Sequence, residues 1–345
     1  MRNNIFYSGK KEFNVLDAGV GEFVYLVVQY LIIALLYMAI SLGLPKGGVL
    51  NSVASLLVEL GFVGTVFIVA ASSKTNAIGA TKLNKKPNGY QLGFCVLIAL
   101  IAYFGFASLT NSFIDLLDLI GYKSSSSGIN VNSWWKYLLY TITMAAVPAF
   151  CEELLFRGVI YQGLRKWSKV GAVFVSAALF MLMHGSPDQT VHQFILGVVL
   201  AIVFGATGSI WCPMLIHFLN NFIALTLSFV VSLIQQNAGG ASASATSEAT
   251  SLNPVAIWFV QLASAAVSAV VAGLLIWVIV KYLHKKNSEN GAERQLASTE
   301  PEAVEATKEN DASEKGKKFA LVFFVLASVW VCFEWIQTLV TGLLK

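Results

Sequence analysis

The chain has 345 residues, 56% of them hydrophobic and 12% charged, with a formal net charge of +4. A soluble domain carries roughly a quarter charged residues, so this composition excludes an ordinary water-soluble enzyme and points to a bilayer. The small positive charge does not signal nucleic acid, because the basic residues fall between the apolar runs.

A membrane-crossing helix needs about 20 mostly apolar residues. Runs of that kind predict spans near 22–44, 50–72, 91–110, 136–160, 170–184, 191–206, 210–234, 255–282 and 319–343. The expected fold is therefore all-α: a polytopic transmembrane bundle of about eight core spans plus one appended C-terminal span. Residues 1–21 read as a polar cytoplasmic segment, followed by a signal anchor with no cleavable signal peptide. The spans within 22–134 precede a central stretch, 135–235. An outer loop and the following span occupy 236–283. Residues 284–318 mix Lys, Glu, Arg, Asp, Ser and Ala without periodicity, which predicts a disordered cytoplasmic linker before the appended helix in 319–345.

Lysine and arginine set the orientation. With the N-terminus in the cytoplasm of a multi-pass cell-membrane protein, the outside segments hold only Lys46, Lys123, Lys136 and Lys345, and the other basic residues face inward. All four cysteines lie in apolar runs without CxxC spacing, which reads as small buried side chains rather than a thiolate metal site.

Charge inside a span costs a few kcal/mol unless it is paired or wetted. Glu152, Glu153 and Arg157 fall in one such run, His184 in a second, and His217 with Asn221 in a third. Residues four apart share a helix face, so Glu153 is expected over Arg157 as a structural ion pair. Glu152, about 100° away, is then left to face the interior. By the same spacing Phe180 lies under His184, His217 aligns with Asn221, and Asn220 points elsewhere. Pro148 and Pro213 each stand four residues before a key residue, where a proline can kink a span or open its first turn.

A carboxylate, two imidazoles and a carboxamide suit hydrolysis by activated water. Glu152 would be the general base, His184 would hold the water, and His217 with Asn221 would donate to the oxyanion. The alternative is a zinc ion on Glu152, His184 and His217 with one open position, although HExxH is absent. The metal-free version, with no cofactor, is preferred. Glu59 is a further acid within a span whose role, cavity or packing, the sequence leaves open.

At these residues the chain resembles the CPBP family of intramembrane proteases, which includes type II CAAX prenyl endopeptidases and bacterial bacteriocin-immunity (Abi) proteins. The family motifs EExxxR, FxxxH and Hxxx(N/D) stand here as Glu152-Glu153-x-x-x-Arg157, Phe180-x-x-x-His184 and His217-x-x-x-Asn221. The resemblance covers roughly 135–235, the expected catalytic core. It implies a glutamate-dependent endopeptidase using Glu152, His184, His217 and Asn221, partnered by membrane lipid and a membrane-associated or lipid-modified peptide. Two other readings stand beside it: a non-catalytic immunity protein on the same fold, and a proton-coupled transporter, since Glu–His chains also carry protons.

Overall fold

The computed structural model describes residues 12–43, 48–124, 131–237, 253–297 and 314–345. Among the described residues nine long helices carry the fold: α1 (Val15–Ser41), α2 (Gly48–Ser72), α3 (Gly89–Leu119), α4 (Trp134–Arg165), α5 (Lys169–Met183), α6 (Thr190–Thr207), α7 (Trp211–Asn237), α8 (Pro254–Ala297) and α9 (Glu314–Leu343). Among the described residues there is no strand, and every helix but α5 is long and apolar enough to cross a membrane. The protein is an all-α, multi-pass membrane bundle.

Local chemistry explains where the helices begin. Asn14 and Asp17 form a reciprocal capping box, with Asp17 N–H donating to Asn14 Oδ1 at 3.1 Å and Asn14 N–H to Asp17 Oδ2 at 2.8 Å. That box starts α1 at Val15, earlier than the apolar run from residue 22 predicts. Asn88 and Gln91 build the same device at the start of α3. The prediction for 91–110 stops short at the other end, because α3 continues to Leu119. Gly208, with φ +66°, ends α6 in the left-handed conformation and permits the tight turn into α7.

The expectation of a disordered segment from residue 284 is corrected over 284–297, where α8 continues as helix. Two pairs of nearby charges support this extension, Lys285 and Lys286 each within 4.0 Å of Glu289. Asn287 Nδ2 also donates to the carbonyls of Ala206 and Thr207 at 3.3 Å, tying α8 to the open end of α6. Residues 298–313 of the expected linker lie outside the described residues.

Lipid tails are as apolar as leucine, so burial from water does not hold membrane helices together. Close packing and interhelical hydrogen bonds do. On α8, Ser268 donates to the Gly105 carbonyl at 2.9 Å and Trp258 to the Ser112 carbonyl at 2.7 Å, fastening α8 along α3. Tyr25 of α1 stacks on Phe62 of α2 at 4.0 Å, and Phe62 meets Phe156 of α4 at 6.2 Å. Leu155, Phe156, Arg157, Val159 and Ile160 are fully buried, which makes α4 the central post of the bundle. The appended helix is docked on the core: α9 lies along α1, and Trp335 donates to Thr190 Oγ1 at 2.9 Å.

Candidate active site

Inside α4 the backbone twice widens from α-helical to π-helical bonding, at Thr141–Ala146 and at Phe156–Tyr161. Such wide turns recur at functional sites. Pro148, which has no N–H to give, follows the first of them. Between the two lies the α-helical stretch Val147–Leu155, which carries Glu152 and Glu153. Pro213 bends nothing, since it sits in the first turn of α7, where helix N–H groups have no intrahelical partner anyway.

Arg157 is wholly buried and its guanidinium is engaged on three sides. Nη1 donates to Glu153 Oε1 at 2.7 Å, and Nη2 donates to the Gly197 carbonyl of α6 at 3.1 Å. The ring of Phe180 lies 4.5 Å beneath its centre. The pair expected from i,i+4 spacing is present and ties α4 to α5 and α6. Gly197 makes this possible: a Cβ there would stand 2.9 Å from Ala177 Cα, so any side chain would push α5 and α6 apart.

Glu153 does more than pair with Arg157. Its Oε1 also lies 3.0 Å from His217 Nδ1, and both side chains are buried. A carboxylate held by an arginine can only accept, so Nδ1 carries the hydrogen, and in the neutral imidazole Nε2 then presents its lone pair. That Nε2 stands 4.0 Å from Glu152 Oε2, an oxygen with no hydrogen-bond partner. Glu152, Glu153, Arg157 and His217 thus form one buried polar chain across α4 and α7.

Phe180 serves as the partition on which the other rings rest. Its ring centre is 5.0 Å from His184 and 5.6 Å from His217. His184, capping α5, donates from Nδ1 to the Phe180 carbonyl at 2.8 Å. Asn221 donates from Nδ2 to the Met144 carbonyl, on the first wide turn of α4, at 3.3 Å. The two asparagines point in different directions, as their spacing requires. Asn220 donates to His192 Nε2 at 3.0 Å, which brings His192 of α6 into the same network. His192 lies in the first turn of α6, where the sequence carries no motif to mark it. Only its helical register beside Asn220 reveals the contact.

A zinc ion would require Glu152, His184 and His217 to converge on one point. Their Nδ1 bonds, to a backbone carbonyl and to Glu153, leave the Nε2 atoms of His184 and His217 as the nitrogens that would have to meet there. Among the described residues no group of three or more His, Cys, Asp or Glu is gathered as a metal site would need. The residues present do not fit that ion.

Beside this chain of side chains runs an apolar groove of about 570 Å³, bounded by Leu92, Ala149, Phe150, Met214 and Phe218, with Lys86 at its edge. Ala149 lies four residues before Glu153, and Phe218 follows His217, so groove and polar chain share the same turns of α4 and α7.

Residues 133–223 match the family model described as Rce1-like, type II CAAX prenyl endopeptidase. The match spans all three motifs and supports the resemblance to CPBP/CAAX proteases read from them. No curated protein and no solved structure matches the chain.

Proposed function

We propose, with the Rce1-like segment 133–223 as premise, that the chain is a CAAX-type intramembrane endopeptidase. Its substrate is a membrane-associated or lipid-modified peptide, and its base is Glu152. One observation carries the reading: a buried acid with an unpartnered oxygen stands 4.0 Å from an imidazole that Glu153 and Arg157 hold in place. A base beside an oriented partner is the recurring signature of activated hydrolysis.

In the proposed reaction Glu152 takes a proton from water while the water oxygen bonds to the scissile carbonyl carbon. Negative charge moves onto the carbonyl oxygen, towards the second N–H of Asn221 Nδ2. His184, its Nδ1 hydrogen held by the Phe180 carbonyl, can only accept through Nε2 and so helps hold the water. His217 Nε2, with its lone pair, accepts the hydrogen bond that aligns the water. As the tetrahedral intermediate collapses, the C–N bond breaks and the proton on Glu152 passes to the departing amine. The groove beside Phe150 and Phe218 suits the apolar part of the peptide, because burying it there costs no polar desolvation. The excess of lysine and arginine in alternate segments supports a cytoplasmic N-terminus, with Lys86 beside the groove on that side.

The test compares membranes bearing wild-type protein or Glu152→Gln by peptide mass spectrometry. The purified proteins are then assayed in nanodiscs. Peptides released only by wild type, and a rate at least about 100-fold lower for the variant, support the reading. Equal release sinks it. Substrate-coupled flux in liposomes without cleavage would favour a transporter, and protection of cells by Glu152→Gln a non-catalytic immunity protein.

A further inference from the structure

Glu59 is the one charged residue of α2, and its Oε2 is buried without a hydrogen-bond partner. Glu152 Oε2 is in the same condition. Packing brings the two carboxyls to one level. The helices α2 and α4 are separated by two crossings of the bundle and so run in the same direction. Phe62 and Phe156 meet at 6.2 Å, and one turn back from each along its helix stands an acid, Glu59 on α2 and Glu152 on α4.

Two carboxyls in an apolar setting cannot both be ionised without a cation between them. Arg157 forms an ion pair with neither of them: its Nη atoms bond Glu153 and the Gly197 carbonyl and its face covers Phe180, although its Nε has no hydrogen-bond partner. From α1, Tyr25 and Glu22 approach, and neither is a cation. Cys151 on α4 and His217 on α7 are further neighbours. A single shared proton satisfies both orphan oxygens at once.

We infer, on the peptidase reading above, that Glu59 is a positioning residue of the same site, whose carboxyl shares one proton with Glu152 and holds Glu152 as the ionised member. Glu59 keeps its proton while Glu152 takes one from water and later returns it to the amine, so the pair enters and leaves each cycle with one proton. Nothing given by the three motifs includes α2, and residues 133–223 do not reach it.

The experiment measures cleavage of a quenched fluorogenic peptide with one apolar segment by purified protein in nanodiscs, as a function of pH. A neutral donor beside an anion favours the anion. Glu59→Leu therefore moves the acid limb of kcat upward by about one pH unit or more, with KM nearly unchanged. Glu59→Gln, which keeps an N–H donor, gives an intermediate limb. A limb that stays put or moves down in Glu59→Leu overturns the inference, since a merely structural residue would leave the profile alone. Infrared difference spectra without peptide give a second readout. Near neutral pH the wild-type-minus-Glu59→Gln difference is expected to show a carboxylic-acid carbonyl band, and a difference spectrum flat in that region also overturns the inference. If the band behaves as expected while no preparation cleaves peptide, the proton-sharing pair stands and the peptidase reading fails. Where Glu59→Leu does not fold, Glu59→Gln decides by both readouts.

Discussion

His217 bonds to Glu153 through Nδ1 at 3.0 Å and turns its other nitrogen towards Glu152, 4.0 Å away. Spacing alone had divided the two glutamates into a structural one and a chemical one. The contact instead makes Glu153 both: it neutralises Arg157 and also selects the tautomer of His217.

Glu153→Gln is therefore expected to injure two properties together. Leaving the buried Arg157 without its counter-charge costs about 3–5 kcal/mol of stability. Losing the carboxylate frees the other imidazole tautomer and lowers the cleavage rate by about 100-fold or more. Thermal unfolding can be followed with a thiol-reactive dye, because Cys95, Cys151 and Cys212 are buried. A variant of wild-type stability and rate would show the Glu153 contacts to be incidental.

Arg157→Lys separates charge from shape. Lysine keeps the charge but cannot reach Glu153 and the Gly197 carbonyl in one plane while covering the Phe180 ring. We expect the variant to melt lower by the equivalent of about 1.5–3 kcal/mol, the worth of hydrogen bonds to a charged group. The dye assay reads it directly, and an unchanged midpoint would count against the three-sided clamp.

Gly197→Ala probes the α5–α6 contact. Its new methyl would meet the backbone of Ala177, which cannot swing aside as a side-chain tip could. Overpacking of this kind costs about 1–3 kcal/mol. Because α5 bears Phe180 and His184, the cleavage rate should fall with stability. Gly273→Ala, where an added methyl meets nothing, is the control and should match wild type.

A pH-dependent contribution comes from Glu12, which bonds Lys166 at 2.8 Å and Lys82 at 3.1 Å just outside the membrane-spanning part of α1. The Lys166 hydrogen bond above all, helped by Lys82, pulls its carboxyl down to about 2 from the usual 4.5. A lowered folded value stabilises above the unfolded value and is lost as pH falls through the folded one. The side chain is 42% exposed, so solvent screening limits each pair to about 0.2–1 kcal/mol. Wild type should melt slightly above Glu12→Gln at pH 7, and the gap should close between about pH 4.5 and 2. A constant gap would contradict the linkage.

Several of these features can be read from the chain because they are local. Four-residue spacing on one helix is enough to join Glu153 to Arg157 and to put Phe180 under His184. Apolar length is enough to find the helices. Contacts between helices depend on rotation and register, which spacing does not record, and so the bonds of His217 to Glu153 and of Asn220 to His192 stayed hidden. The start of α1 at Val15 was obscured by Asp17 and Glu22, polar residues that packing against the core nevertheless buries. The helical stretch 284–297 was missed because its support comes partly from Asn287 reaching another helix.

Helix α5 has 15 residues and is therefore about 22 Å long, against a hydrocarbon thickness of about 30 Å. Val170, Phe174 and Val175 on its flank face outward. A membrane in contact with so short a hydrophobic flank pinches inward to match it. Headgroups and solvent would thereby be drawn towards the end where His184 sits, shortening the distance from bulk to the proposed site at the edge of the bundle.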